Sequence, residues 1–216
     1  DPRMAESINS ESVRIIAEVC HDIDCKVIQI STDHYYTGDG RKLHNEDDDL
    51  IVLNEYARTK RMGELYALQN SDAVIIRTNI TGYRKTNDSP TYIEWLLQAL
   101  KRRSSINLFN DVFTSTIDVE TCARMVLSIL DCDFSGIVNV ASSECVSKME
   151  FALIVAERLG IQFDWYEEST VKSLMVPRAE SLGLDTKRVT ALLDIEMPDT
   201  GQVVDKLLIT RPRSLL

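Results

Sequence analysis

Long apolar runs are missing from this 216-residue sequence. No stretch approaches the ~18 consecutive apolar residues of a membrane-spanning helix, so a soluble protein with no membrane partner is expected. Positive charge is also short. Twenty-four basic side chains against 34 acidic ones leave a net charge of −10, which excludes the basic face of a general nucleic-acid binder. A few local arginines would still suffice to hold an anionic small ligand. Cysteine is sparse and odd in number: Cys20, Cys25, Cys122, Cys132 and Cys145 follow no framework spacing. With no secretory leader evident, that pattern predicts a reducing, cytoplasmic setting. Cys20-His21-Asp22-Ile23-Asp24-Cys25 has no second half at matching spacing, and the acidic run Glu46 to Asp49 lacks the spacing of a calcium loop. No metal site is expected. Only eight glycines occur. Gly38-Asp39-Gly40 is not completed, because the next position of a dinucleotide fingerprint is Leu43 and no helix follows. There is no internal repeat and no low-complexity tract.

What is present is an apolar fraction of 44%, enough for one large domain or two small ones. The stretch from Asp1 to about Cys20 reads as a helix whose partly buried face carries Ile8, Val13, Ile15, Ile16, Ala17 and Val19. Residues 25–30 form a short β-branched run, a buried strand that ends at Ser31-Thr32-Asp33. Hydroxyls just past the carboxyl end of a strand occupy the place where open α/β sheets carry their chemistry. Residues 33–54 read as a long loop. Asn54 is an N-cap for a helix running to about Asn70, and 73–77 is the next strand. Strand, helix and strand within about 50 residues make a βαβ unit, hence a parallel pair with a right-handed crossover. Thr78-Asn79 then lies in the same layer as Ser31-Thr32. Further helices are expected at 92–103, 119–130, 147–159, 186–193 and 202–208, and strands at 106–109, 136–141 and 162–166. The helix at 147 opens with a capping box, Ser147 with Glu150. Lys101-Arg102-Arg103 closes the helix at 92–103, where cations complement the dipole.

The helix after Asn54 places Tyr56 and Lys60 four residues apart, on one face and about 6 Å apart along the axis. A phenol beside a fixed ammonium makes a usable proton donor, because the cation favours the phenolate over its ordinary titration near ~10.

Four passages resemble the extended short-chain dehydrogenase/reductase family, and within it the dTDP-4-dehydrorhamnose reductases and related nucleotide-sugar reductases. Ser31-Thr32-Asp33-His34-Tyr35-Tyr36, with Gly38, is similar to that group's Ser-Thr-Asp-Tyr-Val-Phe-x-Gly. Tyr56-Ala57-Arg58-Thr59-Lys60, with Gly63-Glu64, is similar to its Tyr-Gly-x-Ser/Thr-Lys-x-x-Gly-Glu. Arg77-Thr78 looks like the strand end that follows. Asp1-Pro2 through Ala5 to Asn9 looks like the run before the family's fourth strand.

The resemblance implies an α/β fold, the C-terminal part of a Rossmann-like doubly wound parallel sheet with a smaller, mixed α/β substrate domain. Residues 1–79 and 111–145 would form the NAD(P)-binding part, and 80–110 and 146–216 the substrate part. It also implies about two βαβ units upstream of Asp1, including the glycine-rich turn, so these 216 residues alone are expected to bind NADP or NAD weakly or not at all. Carried over by position, Thr32, Tyr56 and Lys60 are the catalytic residues of a 4-keto nucleotide-sugar reduction. Tyr56 supplies the proton, Lys60 lowers its pKa and holds the nicotinamide ribose, and Thr32 polarises the carbonyl. Ser31, Thr78 and Asn79 join Tyr56 and Lys60 on the cofactor side, with plain turn formation as the alternative for Thr78 and Asn79. Thr32, Asp33 and Arg178 face the nucleotide-sugar substrate. The alternative for Arg178, in Val176-Pro177-Arg178, is an ordinary surface arginine. Asn9 is expected to anchor neighbouring backbone.

The chain departs from the group at His34, at Tyr35-Tyr36 and at Ile80, where the rhamnose-pathway reductases carry a tryptophan. The family's dehydratases have Asp-Glu after the threonine; here Asp33 is followed by His34, which disfavours dehydration. An epimerase and a non-catalytic regulatory subunit of the same fold remain as alternatives, and a homodimer is the expected assembly.

Overall fold

A chain that alternates β-branched runs with amphipathic stretches must bury both, and layers of helix on sheet do so. The computed structural model describes residues 1–84, 89–174, 178–212 and 215. Helix α1 (Pro2–Glu6) passes through one π-helical turn, Ser7–Glu11, into α2 (Ser12–Asp22). Then come β1 (Ile28–Ile30), β2 (Leu43–His44), α3 (Glu55–Ala67), β3 (Val74–Arg77) and β4 (Ile80–Thr81). The middle holds α4 (Tyr92–Arg102), β5 (Ile106–Phe109), β6 (Phe113–Thr114), β7 (Ile117–Asp118), α5 (Val119–Leu130) and β8 (Gly136–Asn139). The last third holds β9 (Val146–Ser147), α6 (Lys148–Arg158), β10 (Tyr166–Ser169), β11 (Ser181–Leu184), α7 (Lys187–Leu193) and α8 (Thr200–Thr210). Among the described residues, no helix is long and apolar enough to cross a membrane.

The frame is a parallel sheet in the order β1-β3-β8. Its register runs from Ile28↔Val74 to Ile30↔Ile76 on one side of β3 and from Val74↔Gly136 to Arg77↔Asn139 on the other. All four residues of β3 are buried, as expected of a strand covered on both faces. Alternate side chains serve opposite layers. Ile75 packs with Val13, Val27, Ala67 and Ala73 beneath α2 and α3. Val74 and Ile76 pack with Ile117, Cys122, Ile129 and Val138 beneath α5. Val189 and Met197 join that second layer, so the stretch after β11, grouped above with the substrate part, lies against the parallel sheet.

A separate core binds α4, α6 and α8 to β5, through Leu96, Leu97, Leu108, Phe151, Val155 and Val204. Each fully buried aliphatic side chain there is worth about 1.5–3 kcal/mol. Thr91 and Glu94 form a capping box at the start of α4, Arg103 ends it in the left-handed conformation, and Lys101 and Arg102 occupy its last turn. β10 pairs in parallel with β5, β4 with β7, and β2-β11-β6-β9 form a four-stranded sheet.

Three expectations need correction. Of the apolar residues assigned to a buried face of the first helix, only Val13 and Ala17 are buried; Ile8, Ile15, Ile16 and Val19 are 52–62% exposed. The π-helical turn before α2 meets α3 at backbone distance, where a Cβ on Gly63 would lie 2.3 Å from the Asn9 carbonyl oxygen. Second, the strand expected at 162–166 begins only at Tyr166, where pairing with Ile106 starts. Third, the loop at 33–54 contains β2, which pairs with β11, a strand that gave no periodic signal.

Candidate active site

Asn54 accepts the Ala57 N–H at 3.0 Å and starts α3, which puts Tyr56 and Lys60 on its first two turns. The Lys60 ammonium donates to the Ile30 carbonyl at 2.6 Å, so helix and strand end are tied together just before Ser31-Thr32. Burial pushes the Lys60 ammonium below the ordinary lysine value of 10.5, with the Glu64 charge opposing. Tyr56 is 45% exposed. Its ring meets that of His34 edge to face, with centroids 5.6 Å apart and planes at 86°. The His34 backbone N–H donates to the Thr32 hydroxyl at 3.3 Å, and that hydroxyl lies 3.4 Å from an Asp33 carboxylate oxygen. The other Asp33 oxygen accepts the Asn79 amide at 2.6 Å. Asn79 in turn accepts the Thr116 hydroxyl at 3.0 Å. Burial raises the Asp33 carboxyl, opposed by His34, by the Asn79 bond and by the charge of Lys148.

Beneath this layer lies a buried ion pair. Arg77 reaches both Glu64 oxygens, at 3.1 and 3.0 Å, and the two side chains are 1% and 0% exposed. Glu64 also accepts from Ser31 at 2.5 Å and from Arg61 at 2.6 Å. Burial pushes the Glu64 carboxyl up, but its bonds to Arg77, Ser31 and Arg61 overcome this and hold it below the usual range. Arg77 also lies over the Tyr35 ring at 5.4 Å and donates to the Tyr36 hydroxyl at 3.4 Å. The two tyrosines at 35 and 36 thus enclose the guanidinium. Further back, Asn9 donates to the Thr59 hydroxyl at 3.0 Å and Ser10 to the Thr59 carbonyl at 2.9 Å. Asn9 therefore anchors a neighbouring side chain, and Ser10 the backbone.

A cavity of about 400 Å³ opens beside the layer, with His34, Asn79, Tyr92, Lys148, Arg178 and Leu182 in its wall. Of the residues singled out in the sequence, Thr32, Asp33, Tyr56, Lys60 and Asn79 converge on the strand ends. Ser31 stands behind them, engaged by Glu64. Thr78 does not converge: it is buried and its hydroxyl meets the Cys122 thiol at 3.9 Å. Arg178 is exposed in the cavity wall, while Val176 and Pro177 of its motif lie outside the described residues. His34 and Lys148 are among the wall residues given no role from sequence. His34 was visible only as a departure from the family pattern. Lys148 had one available signal, a cation in the first turn of a helix, where the dipole opposes it.

The family model of the RmlD substrate binding domain matches residues 1–208. The chain is similar to the probable low-salt glycan biosynthesis reductase Agl14 of Haloferax volcanii, 28% identical over 204 residues, 92% of this chain and 68% of that protein. It is also similar to the dTDP-4-dehydrorhamnose reductase of Escherichia coli K12, 26% identical over 222 residues, 96% of this chain and 73% of that protein. Among solved structures, the dTDP-4-dehydrorhamnose reductase of Bacillus anthracis in complex with NADP superposes with a TM-score of 0.87. That match covers 97% of this chain and 74% of that one at 19% identity. The shared fold is α/β and Rossmann-like, with parallel sheets.

Proposed function

The chain belongs to the RmlD substrate binding domain family, and we propose that it carries the proton-donating layer and substrate cavity of an NADP- or NAD-dependent nucleotide-sugar 4-keto reductase. The relatives reported above, one named for glycan biosynthesis and one for dehydrorhamnose reduction, support this reading. Residues 1–79 and 111–145 form the cofactor side, joined by α7 against the parallel sheet, and 80–110 with the rest of 146–216 form the substrate side.

The observation that carries the proposal is the Lys60 ammonium, fixed 2.6 Å from the Ile30 carbonyl at the strand end that also delivers Thr32. One of its three protons is used there, leaving two to hold ribose hydroxyls. That donor set suits the ribose of a nicotinamide cofactor, with Ser31 and Asn79 at the same strand ends. When bound, the reduced nicotinamide supplies the hydride for the ketone carbon. Tyr56, half exposed and one turn from Lys60, gives its hydroxyl proton to the oxygen that becomes the alcohol, and regains one from solvent. Thr32 donates to the same oxygen as charge develops on it. Lys60 keeps a positive charge beside the phenol, which eases loss of its proton. Arg178, in the cavity wall, pairs with the diphosphate of the nucleotide, a task suited to its planar fork.

The test is NADPH and NADH oxidation by the full-length protein against a panel of 4-keto nucleotide sugars, with Tyr56→Phe beside the wild type. A loss of ~10²–10⁴-fold in kcat for the variant is expected. Equal, slow consumption of cofactor by both proteins contradicts the proposal.

A further inference from the structure

Lys148 is the first residue of α6, and three features of its position are unfavourable to a cation. The first turn of a helix carries the positive end of the dipole. Burial against the cavity wall pushes its ammonium below the ordinary lysine value, with the Asp33 charge opposing. Among the described residues, the ammonium makes no hydrogen bond and no ion pair; its neighbour is the Tyr92 ring, 4.9 Å from Nζ to centroid. The one carboxylate whose charge reaches it, Asp33, is bonded to Asn79 instead. Yet the residue is held firmly. Its N–H donates to the Val112 carbonyl at 2.9 Å, and the Tyr92 hydroxyl donates to its own carbonyl at 2.9 Å. An ammonium placed at the positive end of a helix dipole, near the Asp33 charge but bonded to no carboxylate, and with its backbone pinned, is free to bond an anionic group of a ligand.

Position narrows the anion. Lys148 lines both the 400 Å³ cavity and a second hollow of about 240 Å³, and Asn79, which holds Asp33, lines the same two. Arg178 lines only the larger. Arg84, in the second hollow, is exposed and donates to the Ser89 carbonyl at 3.4 Å. Asn79 and the Asp33 charge put Lys148 beside the strand-end layer, which leaves Arg178, elsewhere in the wall of the larger cavity, for the diphosphate.

Resting on the nucleotide-sugar reading above, we propose that Lys148 recognises a carboxylate on the reacting sugar, so that this cavity prefers an acidic, uronate-type nucleotide sugar to its neutral counterpart. The pair is made by a half-buried ammonium bonded to no protein carboxylate among the described residues, so a ligand carboxylate gains a charge-assisted hydrogen bond there. A neutral hydroxymethyl or methyl group at that place leaves the cation unpaired.

The experiment is calorimetric binding to full-length protein saturated with NADP, using UDP-glucuronate against UDP-glucose and the two dTDP counterparts. At least a tenfold tighter Kd for the acid is expected in one nucleotide series. Lys148→Met is expected to abolish that ratio while leaving the Kd of the neutral sugar within about threefold, and Lys148→Arg to keep part of it. Equal wild-type affinities for acid and neutral sugar in both series overturn the inference. So does a Lys148→Met variant that weakens both sugars alike, the behaviour of an ammonium that only rests on Tyr92. Should Lys148→Met not fold, the wild-type ratio and Lys148→Arg decide. Turnover of neutral 4-keto sugars is measured in parallel: if it persists while the acid shows no preference, this inference falls and the reductase reading stands.

Discussion

Glu64 and Tyr56 sit on one helix, two turns apart, and call for opposite outcomes on substitution. Tyr56 is 45% exposed and its hydroxyl supports no packing, so Tyr56→Phe should change stability by less than ~0.5 kcal/mol while kcat collapses. Thermal unfolding beside the kinetics checks this. Glu64 is the reverse case. Glu64→Gln leaves the buried Arg77 without its counter-charge, which costs about 3–5 kcal/mol in urea unfolding. The sign of its pH dependence follows from its depressed pKa. A carboxyl held low in the fold adds stability that is complete above its unfolded value of ~4.3. That stability disappears as pH falls through the lower folded value. Wild-type stability should therefore fall on acidification below about pH 4.3, and Glu64→Gln should show a shallower acid dependence. An unchanged acid profile in the variant contradicts the assignment.

At the scale of elements, the helix starts were the most legible features and the short strands the least. Ser147 with Glu150, and Asn54 before Tyr56, are local signals, and both caps are formed in the fold. Ser147→Ala removes one arm of the α6 capping box and should cost about 1 kcal/mol, read as a fall in Tm. It also loosens the turn that presents Lys148. Strands β2 and β11 were illegible because they pair with each other across 140 residues, Leu43 to Gly183, and two to four residues hold no period to read. The buried face of the first helix was misread for a related reason. Apolar spacing names a face, but a backbone contact at Gly63 decided which part of it is covered. Gly63→Ala drives a methyl into the Asn9 carbonyl and should cost about 1–3 kcal/mol, with the seam between the π-helical turn and α3 exchanging amide hydrogens faster. Tyr56 and Lys60 were legible because four residues on a helix fix a shared face. Lys148 was not, because no local pattern tells which cavity a helix N-terminus will border.

The whole molecule is organised so that its parallel sheet delivers Thr32 and Asn79 to one edge, α3 brings Tyr56 and Lys60 beside them, and the helical core around α4 and α6 walls the cavity. The α/β frame was readable from the alternation of strand and helix, whereas the cavity depends on packing between segments more than 100 residues apart, such as Asn79 and Leu182. The central claim is that this edge serves hydride transfer to a sugar ketone with Tyr56 as proton donor. The most direct test is to supply full-length protein with NADPH fully deuterated at nicotinamide C4, together with the 4-keto nucleotide sugar it turns over best, and to read the product by NMR. One deuterium at sugar C4 in a newly formed alcohol is expected, and none formed by Tyr56→Phe on the same timescale. Unlabelled or unreduced sugar from the wild type, or equal labelling by the variant, would contradict it.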